Sequence, residues 1–264
     1  MSAVVKSIAI PSGTLRCAVF GHGATPLVMM PGLGIKSVIG AADDVASAYH
    51  AFQDSHTVYL IERRDSLPAG VTIEEITDDT AAAMRALGIR SADVFATSFG
   101  GRVAMLLAIQ YPDLVGKLVL GSTAACTNPL SEKVISGWID LATARRREDL
   151  CRDFIEKVYS ASVAEKFGDF LVSRMADCSD ADLEQMIHTA ASSKGFDIRD
   201  RLGEIKCPVL VLGAENDSVL TGEASREIAD RIGCECFLYG APYNHAVYDE
   251  APDYKERLLA FYRR

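Results

Sequence analysis

The stretch that most constrains the fold of this chain is residues 94–101. A short apolar run ends at Thr97-Ser98, two glycines follow at Gly100-Gly101, and a helical pattern of apolar residues begins at once. A chain that passes straight from a buried strand into a helix holds the residue at the junction in a strained conformation, so we expect Ser98 to have a positive φ. Such a turn needs small residues on both sides, and Ala96 and Gly100 meet that need. The pattern therefore predicts a serine presented at the carboxyl end of a strand.

Short apolar runs alternate with helical patterns along much of the chain. This alternation predicts an α/β fold with a mostly parallel eight-stranded sheet flanked by helices. The first two runs are separated by a Pro-Ser-Gly turn and are expected to form an antiparallel hairpin. Helices are predicted over 41–53, 72–87, 99–111, 223–232 and 252–261, and the second should begin with a capping box of Thr72 and Glu75. The predicted strands are residues 4–10, 15–21, 27–30, 58–61, 94–96, 118–120, 208–213 and 236–239.

Residues 128–200 carry helical patterns without a convincing strand. An all-helical insertion between two strands of a parallel sheet is most simply a cap over the carboxyl edge, where ligands bind in open α/β sheets. The sequence therefore predicts a core domain of residues 1–127 and 201–264 and a helical cap, or lid, of residues 128–200.

The charge of the chain excludes several classes of partner. The formal net charge of −9 argues against a nucleic-acid groove and against electrostatic docking on anionic membranes. No export signal is recognised, and no apolar run approaches the roughly 18 residues of a membrane span, so a cytoplasmic protein is predicted. The seven cysteines are scattered without paired zinc spacing, so reduced thiols, no metal and no cofactor are expected.

The predicted serine needs a base to activate it and a carboxylate to orient that base. The loops after the last two predicted strands lie at the same edge of the sheet as Ser98. The first of these loops offers Glu215 and Asp217, and the second offers His245. The alternative interpretation of Asp217 is a helix cap, and that of His245 is an ordinary loop histidine.

Taken together, these motifs make the chain resemble the α/β-hydrolase fold superfamily, in the serine-nucleophile branch with a helical cap. The motifs are Pro31-Gly32-Leu33-Gly34, Ala96-Thr97-Ser98-Phe99-Gly100-Gly101, Asp217 and His245. Three departures leave the subfamily open: Ala96 replaces the usual glycine, Pro31 stands where many members have histidine, and the Asp-x-Arg-Gly-x-Gly motif is missing after Ile61.

The resemblance implies a role for each matched residue. Ser98 would be the nucleophile and His245 the general base. Asp217 would orient the histidine, since it lies four residues beyond Gly213, where the acid of this family usually falls. The backbone N–H groups of Leu33 and Phe99 would form the oxyanion hole.

The implied activity is that of a serine hydrolase resembling carboxylesterases and lactonases. Its partner would be a small, largely apolar ester, thioester or lactone, cleaved through an acyl-enzyme on Ser98. Alternatives are an acyltransferase, a perhydrolase or a C–C bond hydrolase with the same triad, or a non-catalytic ligand-binding protein. Trp138, Val219 and Val247 are predicted to line the pocket. The alternative for Trp138, which its residue type favours, is that it anchors a cap helix. A homodimer is compatible with the sequence, which leaves the substrate open.

Overall fold

An eight-stranded sheet forms the centre of the computed structural model, which describes residues 2–264. The strands lie in the order β1-β2-β4-β3-β5-β6-β7-β8, where the bounds are β1 (Val4–Ile10), β2 (Gly13–Gly21), β3 (Thr25–Met30), β4 (His56–Arg64), β5 (Ala92–Thr97), β6 (Val115–Gly121), β7 (Val209–Ala214) and β8 (Glu235–Tyr239). Strand β2 is antiparallel to its neighbours β1 and β4, and the other pairs are parallel. The predicted mostly parallel sheet and its N-terminal hairpin are confirmed.

Ten α-helices of the described residues connect and cover these strands. They are α1 (Ala42–Ala48), α2 (Ile73–Ala86), α3 (Phe99–Gln110), α4 (Pro129–Thr143), α5 (Arg147–Val158), α6 (Ala161–Met175), α7 (Asp180–Ala191), α8 (Gly222–Ile232), α9 (Val247–Glu250) and α10 (Tyr254–Tyr262). No helix within residues 2–264 combines the length and the apolar character needed to cross a membrane.

Helices cover both faces of the sheet, as the apolar strands require. Successive side chains of a strand point to opposite faces, so Val28 and Met30 join one core while Leu27 and Met29 join the other. Helices α2, α3 and α8 contribute to the first core, and α1 and α10 contribute to the second. Because both faces are buried, the central strands are largely apolar rather than alternating.

Local sequence signals explain the ends of α2. The Thr72 hydroxyl accepts a hydrogen bond from the Glu75 N–H at 3.1 Å, and the Glu75 carboxylate accepts one from the Thr72 N–H at 2.9 Å. These two bonds form the predicted capping box. After the helix, Gly88 adopts a positive φ of 76°, the conformation that favours glycine just beyond a helix end.

Most element bounds differ from the prediction by a few residues, and three elements differ in a way that has a structural reason. The predicted helix 41–53 is interrupted, because α1 is flanked by 3₁₀ turns at Val38–Ala41 and His50–Phe52. The predicted helix 252–261 starts at Tyr254 and is preceded by the short α9. Strand β4 continues to Arg64 through residues predicted to be a loop, because the charges there are paired: the Arg63 guanidinium lies 3.0 Å from the Glu62 carboxylate.

Four helices, α4 to α7, lie between β6 and β7. They pack around a third apolar core, which also includes Ile35, Val219 and Ala246 from outside this insertion. The segments that enter and leave this insertion are hydrogen-bonded to each other. The Thr127 N–H donates to the Phe196 carbonyl at 2.8 Å, and the Ile198 N–H donates to the Ala125 carbonyl at 2.9 Å. We refer to α4–α7 as the cap; the domain limits of 128 and 200 stay a prediction.

Gly100 provides a test of how closely the chain packs at the start of α3. A Cβ at this position would lie 2.3 Å from the Met30 carbonyl oxygen and 2.7 Å from that of Pro31. We expect Gly100→Ala to lower the free energy of unfolding by about 1–3 kcal/mol, measured by urea denaturation. Gly137 in α4 is the matched control, because nothing lies within 4 Å of its added Cβ. We expect Gly137→Ala to raise stability by about 0.5–1 kcal/mol, and equal effects of the two substitutions would contradict the packing argument.

Candidate active site

Ser98 occupies the junction between β5 and α3 with φ 51° and ψ −120°, so the expected positive φ is confirmed. Three hydrogen bonds fix its backbone. The Ser98 N–H donates to the Gly121 carbonyl at 2.9 Å, and the Ser98 carbonyl accepts from the Thr123 hydroxyl at 2.7 Å and from the Gly101 N–H at 3.0 Å. These bonds stabilise a conformation that a non-glycine residue rarely adopts.

Asp217 and His245 meet although they lie on different loops, after β7 and after β8. His245 Nδ1 lies 2.8 Å from Asp217 Oδ2, and both side chains are buried. The other carboxylate oxygen of Asp217 accepts hydrogen bonds from the N–H groups of Val219 and Leu220, each at 2.8 Å. Burial alone would raise the pKa of Asp217. The charge and hydrogen bond of His245, together with the two backbone donors, outweigh burial and hold that pKa below its ordinary value.

The structure distinguishes between the two candidate carboxylates. Glu215 forms an ion pair with Arg226 at 2.9 Å, and its side chain is about half exposed. Asp217 therefore partners His245, and Glu215 does not. A direct hydrogen bond between Ser98 Oγ and His245 is not among those formed by residues 2–264. Such contacts are often long in the absence of substrate.

Asn244, which the sequence analysis did not single out, links the two loops. Its Oδ1 accepts hydrogen bonds from the Ser218 N–H at 2.9 Å, the Ser218 hydroxyl at 3.0 Å and the His245 N–H at 2.8 Å. Its Nδ2 donates to the Tyr159 carbonyl of the cap at 3.1 Å. The Asn244 side-chain amide therefore connects three parts of the molecule. They are the loop after β7 that carries Asp217, called the acid loop, the loop after β8 that carries His245, called the histidine loop, and the cap. Its position directly before the histidine was the available sequence signal.

The carboxyl end of α5 continues this connection. The last carbonyls of a helix lack partners within the helix. The Lys157 carbonyl accepts a hydrogen bond from the Ser218 hydroxyl at 2.8 Å, and the Val158 carbonyl accepts one from the Ala246 N–H at 2.7 Å. The acid and histidine loops thus satisfy carbonyls of the cap.

The loop after β3, residues 31–34, packs against Ser98. A Cβ on Gly32 would lie 3.0 Å from Ser98 Cβ, closer than an ordinary van der Waals contact, so glycine allows this approach without displacing the serine. Arg63 holds this loop by donating from Nη1 to the carbonyls of Pro31 at 3.2 Å and Gly32 at 3.1 Å. The same guanidinium lies 5.5 Å from the ring centroid of Phe99. The loop that carries Leu33 is therefore fixed next to the turn that carries Phe99; the oxyanion role of their N–H groups stays a prediction.

The family follows from comparison with known proteins. A family model described as alpha/beta hydrolase fold matches residues 30–177, which is more than half of the chain. The chain belongs to the alpha/beta hydrolase fold family. This assignment confirms the resemblance drawn from the turn at Ser98 and the order of the loops that follow.

Several known proteins are similar to the chain. A protein of Pantoea ananatis named "Putative carbamate hydrolase RutD" is 24% identical over 207 residues, covering 71% of this chain and 69% of the relative. A 2-hydroxy-6-oxononadienedioate/2-hydroxy-6-oxononatrienedioate hydrolase of Burkholderia vietnamiensis is 29% identical over 186 residues, covering 67% and 64%. The crystal structure of the enol-lactonase from Burkholderia xenovorans superposes with a TM-score of 0.83 at 22% identity, covering 98% of this chain and all of that one.

A cavity of about 450 Å³ lies between this hydrolase sheet and its cap. It borders the neighbours of Ser98 at Thr97 and at the 31–34 loop, while Ser98, Asp217 and His245 themselves are not among its lining residues. Its cap wall is formed by Phe154, Val158, Tyr159, Arg174 and Met175.

The three predicted pocket residues lie in apolar cores, outside the lining of this cavity. Trp138 is buried within the cap, where its indole N–H donates to Asp153 at 2.8 Å and its ring lies 4.8 Å from that of Phe154. Val219 and Val247 are also buried. A direct role of these three in substrate binding stays a prediction.

A second serine, histidine and aspartate come together at the opposite edge of the sheet. His56 Nδ1 lies 2.8 Å from the Ser55 hydroxyl, and His56 Nε2 lies 3.2 Å from Asp93 Oδ2. These residues stand at the amino ends of β4 and β5, away from the cavity, and Ser55 also donates to the Phe52 carbonyl. Residue types alone therefore do not distinguish the two groups. The Ser98 group differs in that its serine stands at a strained strand-to-helix turn. Among residues 2–264 no group of three or more His, Cys, Asp or Glu is placed to hold a metal.

The Asp217–His245 pair predicts how stability depends on pH. The folded-state pKa of Asp217 is below its unfolded value of about 3.9, so its stabilising contribution is present above that pH and is lost as the pH falls through the folded-state pKa. We expect Asp217→Asn to be less stable than the wild type near pH 7, with the difference shrinking in acid. Urea denaturation between pH 3 and 7 measures this. Asp54→Asn, at a 97% exposed side chain, is the control and should follow the wild-type profile. A gap that widens towards acid would refute the argument.

Asn244→Ala should increase the mobility of the acid loop and the histidine loop. The Ser218 and His245 N–H groups lose their shared acceptor, so we expect their amide hydrogen exchange to accelerate by about tenfold or more. The Gly101 amide, bonded to the Ser98 carbonyl in the turn, serves as the internal control and should exchange at its wild-type rate. Unchanged protection at Ser218 and His245 would show that Asn244 does not hold the loops.

Proposed function

We propose that the protein is a serine hydrolase that cleaves a small, largely apolar ester, thioester or lactone through an acyl-enzyme on Ser98. The observation that carries the proposal is the buried Asp217–His245 pair at the same sheet edge as a serine held at φ 51°. The expected chain order Ser, Asp, His and the cavity beside the serine add support.

Each residue has a defined part in the proposed reaction. Ser98 Oγ attacks the substrate carbonyl while His245 takes its proton and then gives it to the leaving group. Asp217 fixes the ring orientation of His245 through Nδ1 and stabilises the imidazolium. The Leu33 and Phe99 N–H groups would bind the oxyanion, a contribution typically of about 10²–10³ in rate per donor. Water activated by His245 then releases the acid.

The charge in the cavity bears on the choice of reaction. The relative from Burkholderia vietnamiensis is named for a dioate, a substrate with two carboxylates, and such a reaction is the alternative proposal of a C–C bond hydrolase. Lys36, Arg63 and Arg174 line the cavity of this chain together with Glu62 and Asp249, so the lining offers both signs of charge to a substrate.

The acceptor of the acyl group separates the remaining alternatives. A hydrolase transfers the acyl group to water, an acyltransferase to an added alcohol, and a perhydrolase to peroxide. Product analysis of one p-nitrophenyl ester in the presence of each acceptor therefore distinguishes the three reactions, and tight ligand binding without turnover would favour a binding protein. Acyl esters of graded chain length and lactones of graded ring size would define the substrate.

The test of the nucleophile is Ser98→Ala. We expect the wild type to hydrolyse p-nitrophenyl acetate and to be labelled by a fluorophosphonate at Ser98. The variant should lose labelling and at least about 10³-fold in kcat, because the covalent step has no other nucleophile. Ser173→Ala, an exposed serine of the cap, is the control and should match the wild type. Labelling that persists in Ser98→Ala, or a wild type without labelling and turnover, would exclude the proposal.

A further inference from the structure

Arg63 is a largely buried cation at the carboxyl end of β4, and its contacts converge on the serine turn and the 31–34 loop. Its Nη1 donates to the carbonyls of Pro31 at 3.2 Å and of Gly32 at 3.1 Å. Its Nη2 lies 3.0 Å from the Glu62 carboxylate, and the guanidinium lies 5.5 Å from the ring centroid of Phe99. Both terminal nitrogens therefore serve contacts within the protein.

The Gly32 carbonyl that Arg63 binds shares a peptide group with the Leu33 N–H. In this planar trans peptide the two groups point in opposite directions. A hydrogen bond that fixes the Gly32 carbonyl therefore also fixes the direction of the Leu33 N–H. Within residues 2–264 the Leu33 N–H donates to no acceptor, and Leu33 lines the cavity. The donor is thus directed by Arg63 and left free for a ligand.

The charge of Arg63 also strengthens this donor. A cation that donates to a carbonyl polarises the peptide, which makes the N–H of the same peptide a better hydrogen-bond donor. The side chains of Arg63 and Glu62 are only 11% and 6% exposed, so water screens this effect little. Glu62 is itself fixed, because its Oε2 accepts hydrogen bonds from the Val38 N–H and the Ser37 hydroxyl, each at 3.1 Å. The guanidinium is therefore held in one place.

We infer that Arg63 is a positioning residue for the oxyanion hole: it directs and polarises the Leu33 N–H that receives the developing negative charge. The inference rests on the proposed function, in which the N–H groups of Leu33 and Phe99 are the two donors. The same guanidinium lies beside the Phe99 ring, so one side chain contacts both parts of the hole. Donors act through their preorganised direction, and a displaced one loses much of its effect on rate.

The acylation of Ser98 by p-nitrophenyl acetate, followed as the first burst of p-nitrophenolate, tests this role. We expect Arg63→Gln to lower the acylation rate constant by about 10- to 100-fold, while the half-saturating ester concentration changes by less than about threefold. Arg63→Lys keeps a charge beside Glu62 but lacks the planar fork, so its rate should lie between the two. Phenylboronic acid, which forms a tetrahedral adduct with a serine, should lose affinity in parallel with the rate.

Arg64→Gln is the matched control. The Arg64 side chain is 14% exposed and lies 3.1 Å from the Asp79 carboxylate, and within residues 2–264 it forms no hydrogen bond with the 31–34 loop. Its removal should lower the midpoint of thermal unfolding and leave the acylation rate unchanged. An equal loss of rate in Arg64→Gln and Arg63→Gln would mean general destabilisation and would overturn the inference.

The NMR order parameter of the Leu33 amide provides a second readout, which needs no turnover. We expect a value near the rigid limit of about 0.85 in the wild type, a lower value in Arg63→Gln and the wild-type value in Arg64→Gln. Acylation within about threefold of the wild type in both Arg63 variants, or an unchanged Leu33 order parameter in Arg63→Gln, overturns the inference alone. A wild type that shows neither a burst nor fluorophosphonate labelling removes the proposed function, and the oxyanion hole with it.

Discussion

The backbone of Ser98 is the constraint on which the rest of the site depends. A non-glycine residue at φ 51° costs of order 1–3 kcal/mol unless its surroundings over-determine it. Here β6 supplies that support through the Gly121 carbonyl and the Thr123 hydroxyl that follows the strand. Close packing adds to it, because Gly100 has no room for a Cβ and a Cβ on Gly32 would lie only 3.0 Å from Ser98 Cβ. The strain is thus balanced by the neighbouring strand and the 31–34 loop, which keeps the serine at the sheet edge before any substrate binds.

Hydrogen bonds join the cap to the acid loop and the histidine loop. The carbonyls at the end of α5 would lack partners in an isolated helix, and here Ser218 and Ala246 donate to them. Asn244 joins the same three parts through a single amide. Any displacement of α5 therefore acts on the loops that hold Asp217 and His245. Through these hydrogen bonds, the cap affects the orientation of His245 as well as the shape of the cavity.

The sequence predicted features that depend on local pattern or on chain order. Thr72 and Glu75 lie one turn apart, so their capping box is visible without knowledge of the fold. The pairing of Asp217 with His245 follows from parallel topology, which brings the ends of β7 and β8 to one edge. The features that were missed depend on tertiary neighbours. Arg63 looks like a loop residue until the 31–34 carbonyls are placed beside it, and Asn244 looks like an ordinary loop residue until Ser218 and the Tyr159 carbonyl are placed beside its amide.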